Sequence, residues 1–152
     1  TGLDFQLMGG MDIQVDGIPF NVNEAKVYRG VLLENLPNMG MIFGYTNASW
    51  TLKSDLTSEY VCRIINHMDK TDTQQCTPVD SEGVDVIPFI DMNSGYIKRA
   101  LDKVPKQGQK SPWRLHQNYI RDMAMLRFSR VDDGILKFTK TSDQSEMVPV
   151  ES

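Results

Sequence analysis

The sequence predicts a mixed fold in which short strands precede helices, an α+β arrangement when the chain is taken by itself. Two patterns carry this prediction: alternating apolar residues around Asp16-Gly17, and a long amphipathic stretch from Ser49 to His67. A chain of 152 residues is long enough to bury one hydrophobic core. We therefore expect one domain or a large part of one.

The first elements are predicted strands. Asp-Gly between alternating apolar runs is the strongest short-range signal for a β-hairpin, so the chain should turn at Asp16-Gly17. Pro19 has no amide hydrogen to donate, so the second strand should lie at a sheet edge or have Pro19 among its first residues. Two further strands are expected, Val27–Leu33 with an interruption at Gly30, and Met39–Phe43.

The helix from Ser49 to His67 follows from a 3.6-residue period. Its inward positions are expected to be Leu52, Leu56, Tyr60, Val61, Ile64, Ile65 and Met68. The opposite side should carry Lys53, Ser54, Ser58 and Arg63. Cys62 is interpreted as a small buried hydrophobe, and both it and Cys76 as reduced thiols, since no CxxC or zinc-like grouping is present.

The remaining chain alternates between connections and short elements. Residues 69–83 predict a solvated connection, and Val84–Ile90 a short strand. A second helix should begin at Asn93 or Ser94 and run to Val104.

A loop is expected at Pro105–Pro112 and a third helix at His116–Phe128. The apolar positions of that helix are Tyr119, Ile120, Met123, Leu126 and Met125. A last strand is predicted at Ile135–Phe138, and residues 141–152 as a disordered tail.

Several functions are disfavoured by composition and spacing. The net charge of −4 offers no footprint for nucleic acid, so the basic run Lys103–Arg114 is interpreted as a loop that packs Trp113. The histidines, His67 and His116, have no partners at metal-ligand or catalytic spacing, and we expect no metal site. The acidic residues between Asp69 and Asp85 match no calcium loop.

No apolar run approaches the roughly 20 residues that cross a bilayer, and no signal peptide is visible. With the reduced thiols, this predicts a cytoplasmic protein.

The candidate binding feature is the turn that opens the long helix. A strand ending in Gly44 and small polar residues directs free amide groups to one point, where the helix dipole favours negative charge. The same pattern is also typical of a structural helix cap. No GxGxxG or GxxxxGK[ST] motif occurs, so the sequence carries no complete cofactor fingerprint.

The block Gly44-Tyr45-Thr46-Asn47-Ala48-Ser49-Trp50-Thr51-Leu52-Lys53-Ser54-Asp55-Leu56 resembles the C-terminal portion of flavin-containing monooxygenases of the Baeyer–Villiger type. The likeness is close to the bacterial group that includes the ethionamide-activating enzyme. It extends through Tyr60–Arg63 and Asn66–Asp69, and returns at Pro105–Gly108, Pro112–Leu115 and Gln117–Tyr119. Thr1-Gly2 resembles the end of the family's Ala-Thr-Gly motif.

The resemblance implies an α/β flavoprotein with two dinucleotide-binding domains, FAD and NADPH as cofactors, and insertion of one oxygen atom from O2 into a small ketone or onto a sulfur or nitrogen compound. Residues 1–68 would then be the C-terminal part of the FAD/NAD(P)-binding region, 69–83 a connection and 84–140 a C-terminal extension. The phosphate-binding loops and the active-site arginine would lie upstream of Thr1. The chain is therefore expected to be an inactive fragment.

Within that interpretation, the flavin edge would be held by Gly2, Gly44, Thr46, Asn47, Ala48 and Ser49. Trp50 is expected to pack in the core, whereas Tyr45 could pack there or line the substrate side. The expected partners are a small-molecule substrate and the missing N-terminal FAD and NADPH domains, whose absence would favour self-association through exposed apolar surface. The alternative from another class is a non-catalytic binding or assembly module, with the Gly44–Ser49 turn as a cap only.

Overall fold

The structure, a computed structural model, describes residues 7–42, 44–45, 49–88 and 104–140. Helices and small antiparallel sheets alternate along these residues, which confirms the predicted mixture of strand and helix. The predicted helix from Asn93 or Ser94 and the predicted tail at 141–152 lie outside them.

The N-terminal part contains a short 3-10 turn and two hairpins. The turn is Leu7–Gly10, and β1 (Gln14–Val15) pairs antiparallel with β2 (Ile18–Pro19). Asp16 and Gly17 both have positive φ, 52° and 79°, as the favoured two-residue hairpin turn requires. The predicted hairpin is thereby confirmed.

The predicted strand Val27–Leu33 is a second hairpin. Its strands are β3 (Val27–Tyr28) and β4 (Leu32–Leu33). Gly30 lies in the turn at φ 68°, so the interruption was placed correctly. The predicted strand Met39–Phe43 is wrong over the described residues 39–42: apart from an isolated bridge from Leu32 to Gly40, this stretch is irregular.

The long helix, α1, is Trp50–Thr71. It confirms the predicted helix and continues one turn further, because Asp72 closes it in the left-handed conformation. Its buried residues are Lys53, Leu56, Thr57, Tyr60 and Ile64. The buried face is thus rotated from the predicted one.

Four side-chain predictions on α1 are corrected by this rotation. Leu52 and Ile65 are 41% and 52% exposed, while Lys53, assigned to the solvent side, is buried. Cys62 is exposed because it lies two residues from both Tyr60 and Ile64, and residues at that spacing point away from each other. Cys76 is the buried cysteine, and both thiols are free.

The connection predicted at 69–83 contains a strand. β5 (Gln75–Pro78) pairs antiparallel with β8 (Leu136–Thr139), which matches the predicted strand at 135–138 to within a residue. Likewise β6 (Val86–Ile87) pairs with β7 (Gln107–Gly108), inside the segment expected to be a loop. The strand β6 confirms the predicted strand at Val84–Ile90 over part of its length. The strands β5 and β7 were missed because both depend on partners distant in sequence.

The third predicted helix is α2 (Tyr119–Met123), which continues into a π-helical turn at Ala124–Phe128. It begins later than His116 because Asn118 caps it, accepting a hydrogen bond from the Arg121 amide. Leu126 is buried as expected, whereas Ile120 is 70% exposed.

One hydrophobic cluster joins the two halves of the chain. It contains Tyr28 and Leu32 of the second hairpin, Leu56 and Tyr60 of α1, and Leu126 beyond α2. Trp113 also lies in it at 1% exposure, which confirms the packing predicted for that residue. The division at 69–83 into separate units stays a prediction. Among the described residues, none forms a helix long and apolar enough to cross a membrane.

Candidate functional site

The helix start is only partly described. Gly44, Tyr45 and Ser49 of the candidate segment belong to the described residues, whereas Gly2, Thr46, Asn47 and Ala48 do not. The placement of these four residues against a ligand therefore stays a prediction. The structure describes the residues on either side of positions 46–48.

Ser49 occupies the N-cap position of α1 without capping it through its side chain. Its backbone is extended (φ −61°, ψ 128°), as expected of a cap, but its hydroxyl pairs with Thr51 Oγ1 at 2.7 Å. The first turn also contains no acidic residue. The amide groups and the positive end of the dipole are thus not neutralised by a side chain of the first turn.

Gly44 and Trp50 are in close contact across the helix start. A Cβ atom built on Gly44 would lie 2.0 Å from Trp50 Cδ2, so no larger residue fits there while the indole keeps its place. Trp50 is nevertheless 64% exposed. Its predicted place in the core is wrong: the ring contacts Gly44 while remaining mostly exposed.

Tyr45 is buried at 3% exposure and its hydroxyl donates to Asp122 Oδ2 at 2.8 Å. The same carboxylate oxygen accepts a hydrogen bond from Lys53 Nζ, also at 2.8 Å. The Lys53 and Asp122 side chains are 6% and 5% exposed. A single carboxylate on α2 therefore connects the segment before α1 with the first turns of α1.

Burial and the hydrogen bond to Asp122 raise the pKa of Tyr45 well above its ordinary value, so the phenol stays protonated. Lys53 Nζ lies 5.6 Å from the centre of the Tyr45 ring, within the range of a cation–π contact. One helical turn further along, Thr57 is 1% exposed and its hydroxyl has no hydrogen-bond partner among the described residues. Next to the start of α1 there is thus a buried polar cluster, here called the Asp122 cluster, which consists of Tyr45, Lys53 and Asp122.

Sequence reasoning missed this cluster. Lys53 was assigned to the solvent side and Asp122 was not considered. The available signal was their sequence context: Lys53 lies within the block that resembles the monooxygenases, and Asp122 interrupts the apolar face of a predicted helix.

A second polar cluster stabilises the second hairpin. Arg29 pairs with Asp133 at 2.8 Å, and the Tyr28 hydroxyl donates to the same carboxylate at 2.5 Å. Arg29 also donates to Ser129 and to the Met125 carbonyl. These contacts attach the hairpin tip to the chain that follows α2.

Both histidines contact other side chains of the fold. The His67 and Phe138 rings are in contact, with centroids 4.5 Å apart and planes tilted by 52°. His116 Nδ1 lies 3.4 Å from a guanidinium nitrogen of Arg121. Among the described residues there is no group of three His, Cys, Asp or Glu side chains that could hold a metal ion. An open pocket of about 470 Å³ lies along the C-terminal half of α1, lined by Arg63, Asn66, His67, Lys70 and residues 130–132.

The chain is homologous to one part of the FAD-containing monooxygenases, which confirms the resemblance to flavin-containing monooxygenases drawn from residues 44–56. The Baeyer–Villiger type stays a prediction. The chain is 47% identical over 141 residues to the FAD-containing monooxygenase EthA of Mycolicibacterium smegmatis, covering 92% of this chain and 29% of that protein. It is 46% identical over 142 residues to EthA of Mycobacterium tuberculosis, with the same coverage. A third relative, from Acinetobacter baylyi and named "probable FAD-binding monooxygenase AlmA", is 41% identical over 148 residues.

The chain thus spans about 29% of the length of the first curated relatives that it matches. No family model matches it. No solved structure matches it either.

Proposed function

We propose that this chain forms the flavin-facing C-terminal part of an FAD- and NADPH-dependent monooxygenase. The observation that supports it most directly is the 41–47% identity to FAD-containing monooxygenases over more than nine tenths of the chain. The parent protein would have the two-domain α/β flavoprotein fold and would act in the cytoplasm. Its substrate would be a small ketone or a sulfur or nitrogen compound.

The helix start fits the edge of a flavin in charge and in hydrogen bonding. Reduced flavin carries negative charge near N1 and the C2 carbonyl, and acceptors of this kind suit a helix N-terminus. Ser49 leaves the first turn uncapped by its side chain, and no carboxylate of that turn competes for the dipole. We propose that Asn47, Ala48 and Ser49 contact this edge, with Gly2, Gly44 and Thr46 beside them.

The part of Gly44 in this site is indirect. The space beside its Cα atom is occupied by the Trp50 indole rather than left open. Gly44 would then act by leaving room for the Trp50 indole, which shapes the surface next to the flavin edge. Trp50, being mostly exposed, is available to contact the cofactor, the substrate or the upstream domains.

The bound FAD would supply the chemistry, accepting electrons from NADPH and delivering one oxygen atom from O2 to the substrate. The residues of this chain would bind and orient it and hold its negative charge. No GxGxxG loop occurs in the chain, so the phosphates of FAD and NADPH would be bound by upstream sequence.

The experiment is to express the full-length gene product and the 152-residue chain side by side. We expect the full-length protein to be yellow, to contain FAD and to oxidise NADPH. We expect the isolated chain to show neither flavin absorbance nor flavin-dependent NADPH oxidation. A full-length product that lacks two Gly-rich dinucleotide fingerprints and binds no FAD would contradict the proposal.

The alternative, a non-catalytic binding or assembly module, is favoured by one contact. Because Trp50 fills the space beside Gly44, the turn also makes sense as a purely structural helix start. The same experiment separates the two functions, since a module would leave NADPH oxidation absent from the full-length product.

A further inference from the structure

The Asp122 cluster links the residue that precedes the proposed flavin-contact segment to the first turns of α1. Tyr45 immediately precedes residues 46–48, and Lys53 lies four residues after the N-cap Ser49. Asp122 Oδ2 is 2.8 Å from both Tyr45 Oη and Lys53 Nζ. One carboxylate therefore accepts hydrogen bonds from residues on both sides of positions 46–48 along the chain.

The charges of this pair are placed where they affect a ligand at the helix start. The N-terminus of α1 already carries positive partial charge from the dipole, and Lys53 adds a full positive charge one turn into the helix. Asp122 neutralises that charge. Because both side chains are at most 6% exposed, water screens their fields weakly.

A packing role alone does not call for an ion pair here. Burying two opposite charges is often no more stabilising than burying apolar residues of similar volume. An exposed pair also links α1 to the π-helical turn that continues α2: Glu59 with Arg127, whose nitrogen–oxygen distances are 2.5 and 2.7 Å. The buried pair is distinguished from the exposed one by its position at the helix start.

We infer that the Lys53–Asp122 pair sets the electrostatic potential at the start of α1 and thereby the reduction potential of the bound flavin, with Asp122 as a positioning residue that acts through Tyr45 and Lys53. This inference rests on the proposed function. It assigns to α2, in the C-terminal extension, control over a cofactor whose phosphates are bound elsewhere. Neither residue needs to touch the flavin.

The inference predicts shifts of opposite sign for the two single variants. Asp122→Asn leaves the Lys53 charge unbalanced, which stabilises the anionic reduced flavin and raises the reduction potential. Lys53→Met leaves the Asp122 charge unbalanced and lowers it. We expect each variant to change the preference for reduced over oxidised flavin about tenfold, or about 30 mV for a two-electron couple.

The measurement is the two-electron reduction potential of FAD in the full-length holoprotein. Asp122→Asn and Lys53→Met are both measured in the same buffer. Each is compared with the unchanged protein at the same pH. The matched control is Glu59→Gln with Arg127→Gln, which removes the exposed pair between α1 and the π-helical turn and should leave the potential unchanged.

Tyr45→Phe keeps the experiment decisive if a single charge variant fails to fold. It retains the ring and both charges but removes one hydrogen bond to the carboxylate, so the negative field of Asp122 increases. We expect a smaller downward shift, in the direction of Lys53→Met. Shifts of the same sign in the two charge variants, or an unchanged potential in Tyr45→Phe, would overturn the inference. A wild-type holoprotein without FAD would instead overturn the proposed function.

Discussion

The indole of Trp50 occupies the place that a side chain at position 44 would take, with Trp50 Cδ2 only 2.0 Å from a Cβ atom built on Gly44. This contact lies at the start of α1, and the Asp122 cluster connects the first turns of the same helix to α2. Residues 46–48 lie between these two contacts along the chain. Both can be tested by substitution.

Gly44→Ala should displace the Trp50 ring and reduce the free energy of unfolding by about 1–3 kcal/mol, the usual cost of overpacking. Urea unfolding measures the change. In a Trp50→Leu background the same substitution should cost much less, because the clashing ring is gone. Gly40→Ala is the matched control, since its Cβ would meet only Val61 Cγ2 at 3.2 Å. Equal losses with and without Trp50 would contradict the contact.

Asp122→Leu should be strongly destabilising because it leaves the Lys53 ammonium buried without its carboxylate. We expect a loss of about 3–5 kcal/mol in the free energy of unfolding. The double variant Lys53→Met/Asp122→Leu removes both charges and should recover most of that loss. If the double variant is as unstable as Asp122→Leu, the damage comes from packing rather than from the unpaired charge.

Stability should fall in acid through Asp133. Burial alone would raise its pKa, but the hydrogen bond from Tyr28, those from the amides of Leu136 and Ile135, and the Arg29 charge together hold the pKa below its ordinary value of 3.8. A carboxylate whose pKa is lower in the folded than in the unfolded state stabilises the fold at pH values above its unfolded-state pKa. That stabilisation is lost as the pH falls through its folded-state pKa.

The free energy of unfolding, followed from pH 5 to pH 2.5, should therefore decrease more steeply for the unchanged protein than for Asp133→Asn. Identical slopes would show that Asp133 has the same pKa in the folded and unfolded states.

The two thiols should differ in reactivity. Cys62 is exposed on α1, whereas burial raises the pKa of Cys76 and leaves little thiolate to react. With a thiol reagent at pH 8, one cysteine of the 152-residue chain should react quickly and the other only after unfolding. Cys62→Ser should abolish the fast phase; a fast phase that survives this change would contradict the orientation of α1.

Local patterns were sufficient to predict part of the fold. The first hairpin was predictable because Asp16-Gly17 alone satisfies the turn geometry. The helix α1 was predictable because apolar residues recur at helical spacing over most of its 22 residues. The buried face of α1 was predicted less well. Lys53 looks solvent-facing until its partner is known, and Asp122 is 69 residues away in sequence.

The missed strands have the same physical origin. Gln75–Pro78 is largely polar and contains a proline, so its sequence is typical of a connection. It forms a strand because it pairs with Leu136–Thr139. Met39–Phe43 shows the opposite error: an apolar run was interpreted as a strand, although Met41 is buried without strand pairing beyond the bridge at Gly40. The candidate site was predicted from the cap-like turn and the resemblance, whereas its supporting charges required the structure.

The most direct test of the proposed function is the FAD dissociation constant of the full-length gene product with Asn47→Ala and Ser49→Ala combined. We expect FAD to bind about tenfold more weakly, equivalent to about 1.4 kcal/mol, because two groups at the flavin edge are removed. Ser58→Ala, on the exposed side of the same helix, is the control and should bind FAD normally. An unchanged dissociation constant in the double variant would contradict the assignment of the α1 start to the flavin.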